Sequence, residues 1–210
     1  MKNIFILILT SFFLQNSNAQ KVLKDSLTIK KNNIIFKFIA LSDTDKIVDI
    51  GSGAGYSLMP IANAHSNIMF TVQDIDNSTC NKKRFEQQIL KFGGIAKIEQ
   101  FKFVIGTDST TNLPSNSFTK ILMFDVLHEM SKKKQMLTDI KRIMIKNASF
   151  FIEENLAHKP QRKQRICNFR LLTEQEFKII MKDNNFILKN EQISWDTGHN
   201  IYKKIFQYTL

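Results

Sequence analysis

Residues 47–56 read IVDIGSGAGY. An apolar run carrying the acid Asp49 gives way to glycine at every second position: Gly51, Gly53 and Gly55. A short apolar run that stops at glycine predicts a buried strand ending in a tight turn. Glycine at such a turn lets the backbone take positive φ and lets a ligand approach it closely. The spacing differs from the dinucleotide fingerprint G-x-G-x-x-G, because Tyr56 stands where the third glycine belongs. The Lys-Ser/Thr pair of a phosphate-binding P-loop is also missing. An acid next to a diphosphate repels it, whereas an acid next to an ammonium group attracts it. The pattern points to a ligand with a nucleoside end and a cationic amino-acid end.

Outward from that turn, strands and helices alternate. Residues 26–41 carry apolar side chains at helical spacing (Leu27, Ile34, Ile35, Phe38, Ile39, Leu41). A helix is predicted over 56–64, with Pro60 in its first turn. Strand IMFTVQDI (68–75) follows, then helix CNKKRFEQQILKFG (80–93), closed by Gly93 and Gly94. FKFVIG (101–106) and FTKILMFDVL (118–127) are the third and fourth strands, and the helix after the fourth is predicted to start at His128. SFFIEEN (149–155) is the fifth strand. The helix TEQEFKIIMKDNNF (173–186) opens on the capping box Thr173-x-x-Glu176. Two neighbouring strands, 186–194 and 202–210, close the chain as a hairpin. The expected fold is α/β: a doubly wound, mostly parallel seven-stranded sheet with an antiparallel strand at one edge. Ligands of such sheets bind at the carboxyl ends of the strands.

Composition fits one globular domain: 210 residues, 43% hydrophobic and 23% charged. The first residues, MKNIFILILTSFFLQNSNAQ, place Lys2 before an apolar run from Ile4 to Leu14 and end on Ser17-x-Ala19. That is the shape of a cleaved signal peptide, and the run is too short to span a membrane. The expected organisation is a signal peptide over 1–19, a domain over 20–210, and an exported protein. If the leader is not a signal, the protein is cytoplasmic. The net charge of +11 is spread along the chain. It invites nucleic acid or another acidic partner, but it equally fits a solvated, lysine-rich surface. Cys80 and Cys167 have no metal-ligand spacing, so no metal is expected. They are either one disulfide or two free thiols.

Four ordered pieces carry a family resemblance. VDIGSGAGY resembles the first motif of class I S-adenosylmethionine-dependent methyltransferases. Asp74 in TVQDID falls where that family has its ribose-binding acid. GTDSTTNLPSNSFTKILMFDVLHEM resembles the stretch from the loop after strand three through strand four, and LLTEQEFKIIMKDNNF resembles the helix before strand six. Thr119 replaces an acid common after the Ser-Phe pair, and Asn185 replaces a glycine; neither removes the cofactor site. The resemblance implies S-adenosylmethionine as cofactor and methyl transfer as the reaction. Asp49 with Gly51, Ser52, Gly53 and Gly55 is then expected to orient the methionine part. Asp74 accepts from the ribose hydroxyls beside Ile75, and Asp108 accepts from the adenine amino group. Phe124 and Asp125 floor the site near the sulfonium. His128 is the candidate base, with Glu129 to orient it, or else it packs beneath the cofactor. The basic connection 157–170 either contacts an anionic acceptor or is solvated. A small-molecule acceptor is the expected partner. Nucleic acid is not favoured, because FDVLHEM lacks the N/D-P-P-Y/F motif of base-amino methyltransferases. An exported binding protein that keeps the fold without the reaction is the alternative.

Overall fold

The computed structural model describes residues 28, 30–160, 168–196, 198 and 201–210. The leader, Cys167 and most of the basic connection lie outside the described residues.

One sheet organises the chain. Its strands are β1 (Ile47–Ile50), β2 (Phe70–Asp74), β3 (Phe101–Ile105), β4 (Phe118–Phe124), β5 (Met144–Ala157), the two-residue β6 (Leu172–Thr173), β7 (Ile187–Asp196) and β8 (Ile201–Thr209). They lie in the order β3-β2-β1-β4-β5-β8-β7, with β6 paired to β5. β1 to β5 are parallel, and β8 runs antiparallel to both β5 and β7. The expected sheet is therefore present, with β6 as a short eighth strand. The order reverses between β1 and β4, the switch point where such sheets bind ligands.

Alternation along the strands splits the core in two. Val48, Ile50, Ile121, Met123, Phe150 and Ile152 face one side, against α4 (Lys133–Ile143) and α5 (Glu174–Asp183). Ile47, Phe70, Val72, Leu122 and Phe151 face the other, against α1 (30–39), α2 (Met59–Ala64) and α3 (Lys82–Lys91). A strand covered on both faces needs apolar residues at consecutive positions, which is why Ile47, Val48 and Ile50 are all apolar, with Asp49 the one buried acid among them. Each fully buried Ile, Leu or Phe contributes roughly 1.5–3 kcal/mol of burial.

The local signals behave as their chemistry predicts. Pro60 sits at the start of α2, where no intrahelical N–H is lost. Thr173 and Glu176 form the reciprocal cap of α5. Asn185 takes the left-handed conformation (φ +60°) beyond the end of α5. The helix after β4 differs from expectation, because it begins at Lys133 rather than His128. Residues 127–129 form a turn instead, held by long-range hydrogen bonds described below. Thr119 ties β4 to the turn before β1, accepting from the Lys46 amide and donating to Asp45. Cys80 is buried and its thiol is free, and burial pushes it up to about 12. Among the described residues no helix is long and apolar enough to cross a membrane, and no cluster of His, Cys, Asp and Glu is arranged to hold a metal.

Candidate active site

The glycine turn hangs from the neighbouring strand. The amides of Gly51 and Ser52 both donate to the Gln73 carbonyl, at 2.8 and 3.0 Å. All three glycines have positive φ: +70°, +52° and +80°. Their reasons differ. A Cβ at Gly51 would lie 2.5 Å from Val126 Cγ1, and one at Gly55 would lie 2.7 Å from the Phe85 ring. The protein's own side chains claim that space. A Cβ at Gly53 would meet nothing within 4 Å. Here the backbone faces open volume, and it is the position where a ligand can lie on the main chain.

That volume is a cavity of about 480 Å³ at the carboxyl ends of β1, β2 and β4. Pockets for cofactors fall in this range. Of the sequence-predicted residues, the structure brings Gly51, Gly53, Asp74, Ile75, Asp108, Phe124 and Asp125 to its wall. Asp49, Ser52, Gly55 and His128 are not in it.

Asp49 is buried beneath the glycine turn and accepts the Ser52 hydroxyl at 2.6 Å. Burial raises its carboxyl to about 7; the Ser52 bond works against that shift and repulsion from Asp74 adds to it. Its reach to a ligand is through the turn it supports. Asp74 joins the two halves of the wall. One carboxylate oxygen accepts the Gly53 amide at 2.8 Å, the other the Asp76 amide at 3.0 Å. A carboxylate oxygen has two lone pairs, so capacity remains for a ribose diol. Ile75 projects an exposed apolar side chain beside it. Asp108 is exposed and paired with Lys132 at 2.9 Å, which holds its carboxyl below the usual range.

Asp125 has φ +59°, a left-handed conformation uncommon outside glycine, asparagine and aspartate. Its Oδ1 accepts from the amide and the side chain of Asn155, and its Oδ2 is paired with Lys203 on β8. Behind them, Glu153 accepts the Ser194 hydroxyl and pairs with Lys31 of α1 at 3.1 Å. This part-buried ion network was invisible in the sequence; its only trace is a lysine two residues before Ile205, on the inward face of β8. Burial, with Lys31 nearby, pushes Lys203 down to about 7, and the Asp125 carboxylate in contact opposes that shift.

His128 is buried, and its Nδ1 lies 2.7 Å from Oε2 of Glu154, a fully buried residue of β5. The other Glu154 oxygen accepts the Leu127 amide at 2.5 Å. Lys133 donates to the His128 and Met130 carbonyls. These bonds hold residues 127–130 as a turn and delay α4. Glu154, not Glu129, fixes His128; Glu129 lies 3.6 Å from His128 Nε2 and itself lines the cavity. Glu129, Gln73 and Phe169 are wall residues beyond those proposed from motifs. Gln73 Nε2 is a buried donor with no hydrogen-bond partner, in a wall otherwise rich in acceptors.

The profile of a family described as a methyltransferase domain matches residues 48–152. The chain belongs to this family. It is the family of class I S-adenosylmethionine-dependent methyltransferases, and its cofactor is S-adenosylmethionine. Solved structures agree on the fold. A S-adenosylmethionine-dependent methyltransferase from Aquifex aeolicus is 18% identical, with a TM-score of 0.66 over 84% of this chain and 88% of that one. A glycopeptide N-methyltransferase complexed with sinefungin is 10% identical, with a TM-score of 0.67 over 85% of each chain. The cyclase SpnF is also 10% identical, with a TM-score of 0.68 over 84% of this chain and 79% of that one. At such identities the likeness concerns the fold alone. No curated protein matches this methyltransferase-family chain in sequence.

The cavity suits the cofactor on its own terms. It offers an acceptor carboxylate at Asp74, an open backbone at Gly53 and an acidic wall for a cation.

Proposed function

We propose that this protein transfers a methyl group from S-adenosylmethionine to a small-molecule acceptor. The observation that carries the reading is the coupling of Gly53 to Asp74, which ties the glycine turn to the end of β2 at one cavity. In the proposed arrangement Asp74 holds the ribose and the turn from Gly51 to Gly53 holds the methionine part. Asp49 supports that turn from below through Ser52. Ile75 and Asp108 bound the adenine end, and Phe124 and Asp125 bound the reacting end. When bound, S-adenosylmethionine supplies a methyl carbon made electrophilic by its sulfonium. The protein's contribution is alignment and exclusion of water, since no leaving-group proton is required. Glu154 keeps His128 in the turn below the wall, which supports a structural role for His128 rather than that of a base.

The leader supports export, and with it a second reading, a binding protein that keeps the site without the reaction. Nucleic acid is disfavoured as acceptor by the acids in the wall, which repel phosphate. The test is calorimetric titration of the full chain with S-adenosylmethionine and S-adenosylhomocysteine. Micromolar binding, about −8 kcal/mol, is expected, with loss of binding in Asp74→Ala. A folded chain that binds neither compound overturns the proposal.

A further inference from the structure

The wall of the cavity has a charge of its own. Asp74, Asp76, Asp108, Asp125 and Glu129 line it, and among its described residues there is no Lys, Arg or His. This is in a chain of net charge +11. The five acids are not equivalent. Lys132 answers Asp108 and Lys203 answers Asp125. Asp76 takes the amide and hydroxyl of Ser78 and the Thr79 hydroxyl. Asp74 takes two amides and belongs to the cofactor end. Among the described residues, no lysine or arginine lies within ion-pairing distance of Glu129. It projects from the turn after β4, nearly half exposed, 3.6 Å from the Nε2 of His128.

The His128 ring is held by Glu154 on Nδ1, with the Glu129 carboxylate 3.6 Å beyond Nε2. Glu154 is fully buried and also takes the Leu127 amide, so one residue of β5 anchors both the ring and the turn. The turn that carries Glu129 is thus anchored to β5, and Phe169 lines the same cavity. A carboxylate and an aromatic side chain in one cavity wall suit an organic cation.

We infer that the acceptor is an amine, bound as its ammonium form and deprotonated by Glu129. This rests on the methyl-transfer reading. Two cations, ammonium and sulfonium, repel each other at reacting distance, and an acidic wall offsets that repulsion where an anionic acceptor would add to its own. The ammonium gives one proton to the Glu129 carboxylate. The nitrogen lone pair then forms the new N–C bond, and the methyl carbon's bond to sulfur breaks with its electron pair going to sulfur. The products are a methylated ammonium, S-adenosylhomocysteine and a proton, which Glu129 returns to solvent through its exposed side. His128 and Glu154 are positioning residues for Glu129.

The test uses the full chain saturated with S-adenosylhomocysteine and titrated calorimetrically with three probes of one skeleton: benzylamine, benzyl alcohol and benzoate. Benzylamine is expected to bind at least about tenfold more tightly than benzoate, roughly one charge–charge contact screened as in water. Glu129→Gln, at S-adenosylhomocysteine concentrations that saturate the variant, should erase that preference. With S-adenosylmethionine present, mass spectrometry should find N-methylated benzylamine, formed about 100-fold more slowly by Glu129→Gln. Equal affinity for the three probes, including none for any of them, overturns the inference, as does a preference for benzoate. A chain that binds neither cofactor form fails earlier, at the methyl-transfer reading, and takes the inference with it.

Discussion

Single residues in the glycine turn separate folding from binding. At Gly51 a side chain collides with Val126, so Gly51→Val is expected to destabilise the domain itself. At Gly53 the cost of a side chain is the left-handed φ alone, about 1–2 kcal/mol, and the added atoms point into open volume. Gly53→Val should therefore leave a folded protein with cofactor affinity reduced tenfold or more. Denaturant unfolding and calorimetry on the two variants check the split. Asp49 gives the turn a pH dependence. Its carboxyl rises from 3.8 to about 7 in the fold, mainly through burial. The neutral form is the one the fold prefers, so the stability it contributes is complete below 3.8 and is lost as pH rises through about 7. Asp49→Asn keeps an acceptor for Ser52 and removes the ionisation. The stability of the natural protein relative to this variant should fall between pH 4 and 7, by up to about 4 kcal/mol, and level off above. Unfolding midpoints across that range, flat in both proteins, would contradict the burial argument.

At the scale of elements, the turn after β4 depends on a strand 26 or more residues away. Glu154 accepts the Leu127 amide and faces His128, both from inside the core. Removing it takes away a bond from the buried imidazole and the acceptor of the buried Leu127 amide. Glu154→Ala is expected to cost about 3–5 kcal/mol, and proteolysis should then cut first within 125–132. This dependence also explains what the sequence could and could not reveal. Strands, helix caps and the glycine turn rest on neighbours a few residues apart, and IVDIGSGAGY or Thr173-x-x-Glu176 can be read directly. Asp74, one strand on, was legible because its motif has a fixed place at the end of β2. The partners of Asp125 and His128 come from β5 and β8, at separations that no local pattern encodes. A helix was therefore expected from His128, and Glu129 was expected to orient His128. In the fold Glu154 fixes the ring and the helix starts at Lys133.

For the whole molecule, charge and topology act at different ranges. The basic surface sets what the protein meets in solution; the acidic cavity sets what it keeps. Topology places β8 between β5 and β7, although β7 precedes it in the chain. It also places Lys203 against Asp125 from that inner position. A chain cut after Asn200 loses this strand, exposes the edge of β5 and leaves Asp125 without its lysine. Such a chain is expected to aggregate, as an open edge strand pairs with other chains, and size-exclusion chromatography would show whether it does.

The inner seat of β8 also has a consequence during biosynthesis. A nascent polypeptide emerges from the ribosome in order, so β7 appears before the strand that must lie inside it. Until Ile201–Thr209 is free of the exit tunnel, the sheet has a gap that β7 cannot fill correctly. Cotranslational folding of the sheet therefore cannot finish before β8 has emerged. Prematurely terminated products lack the strand that closes the sheet, so their defect is open to cellular proteases.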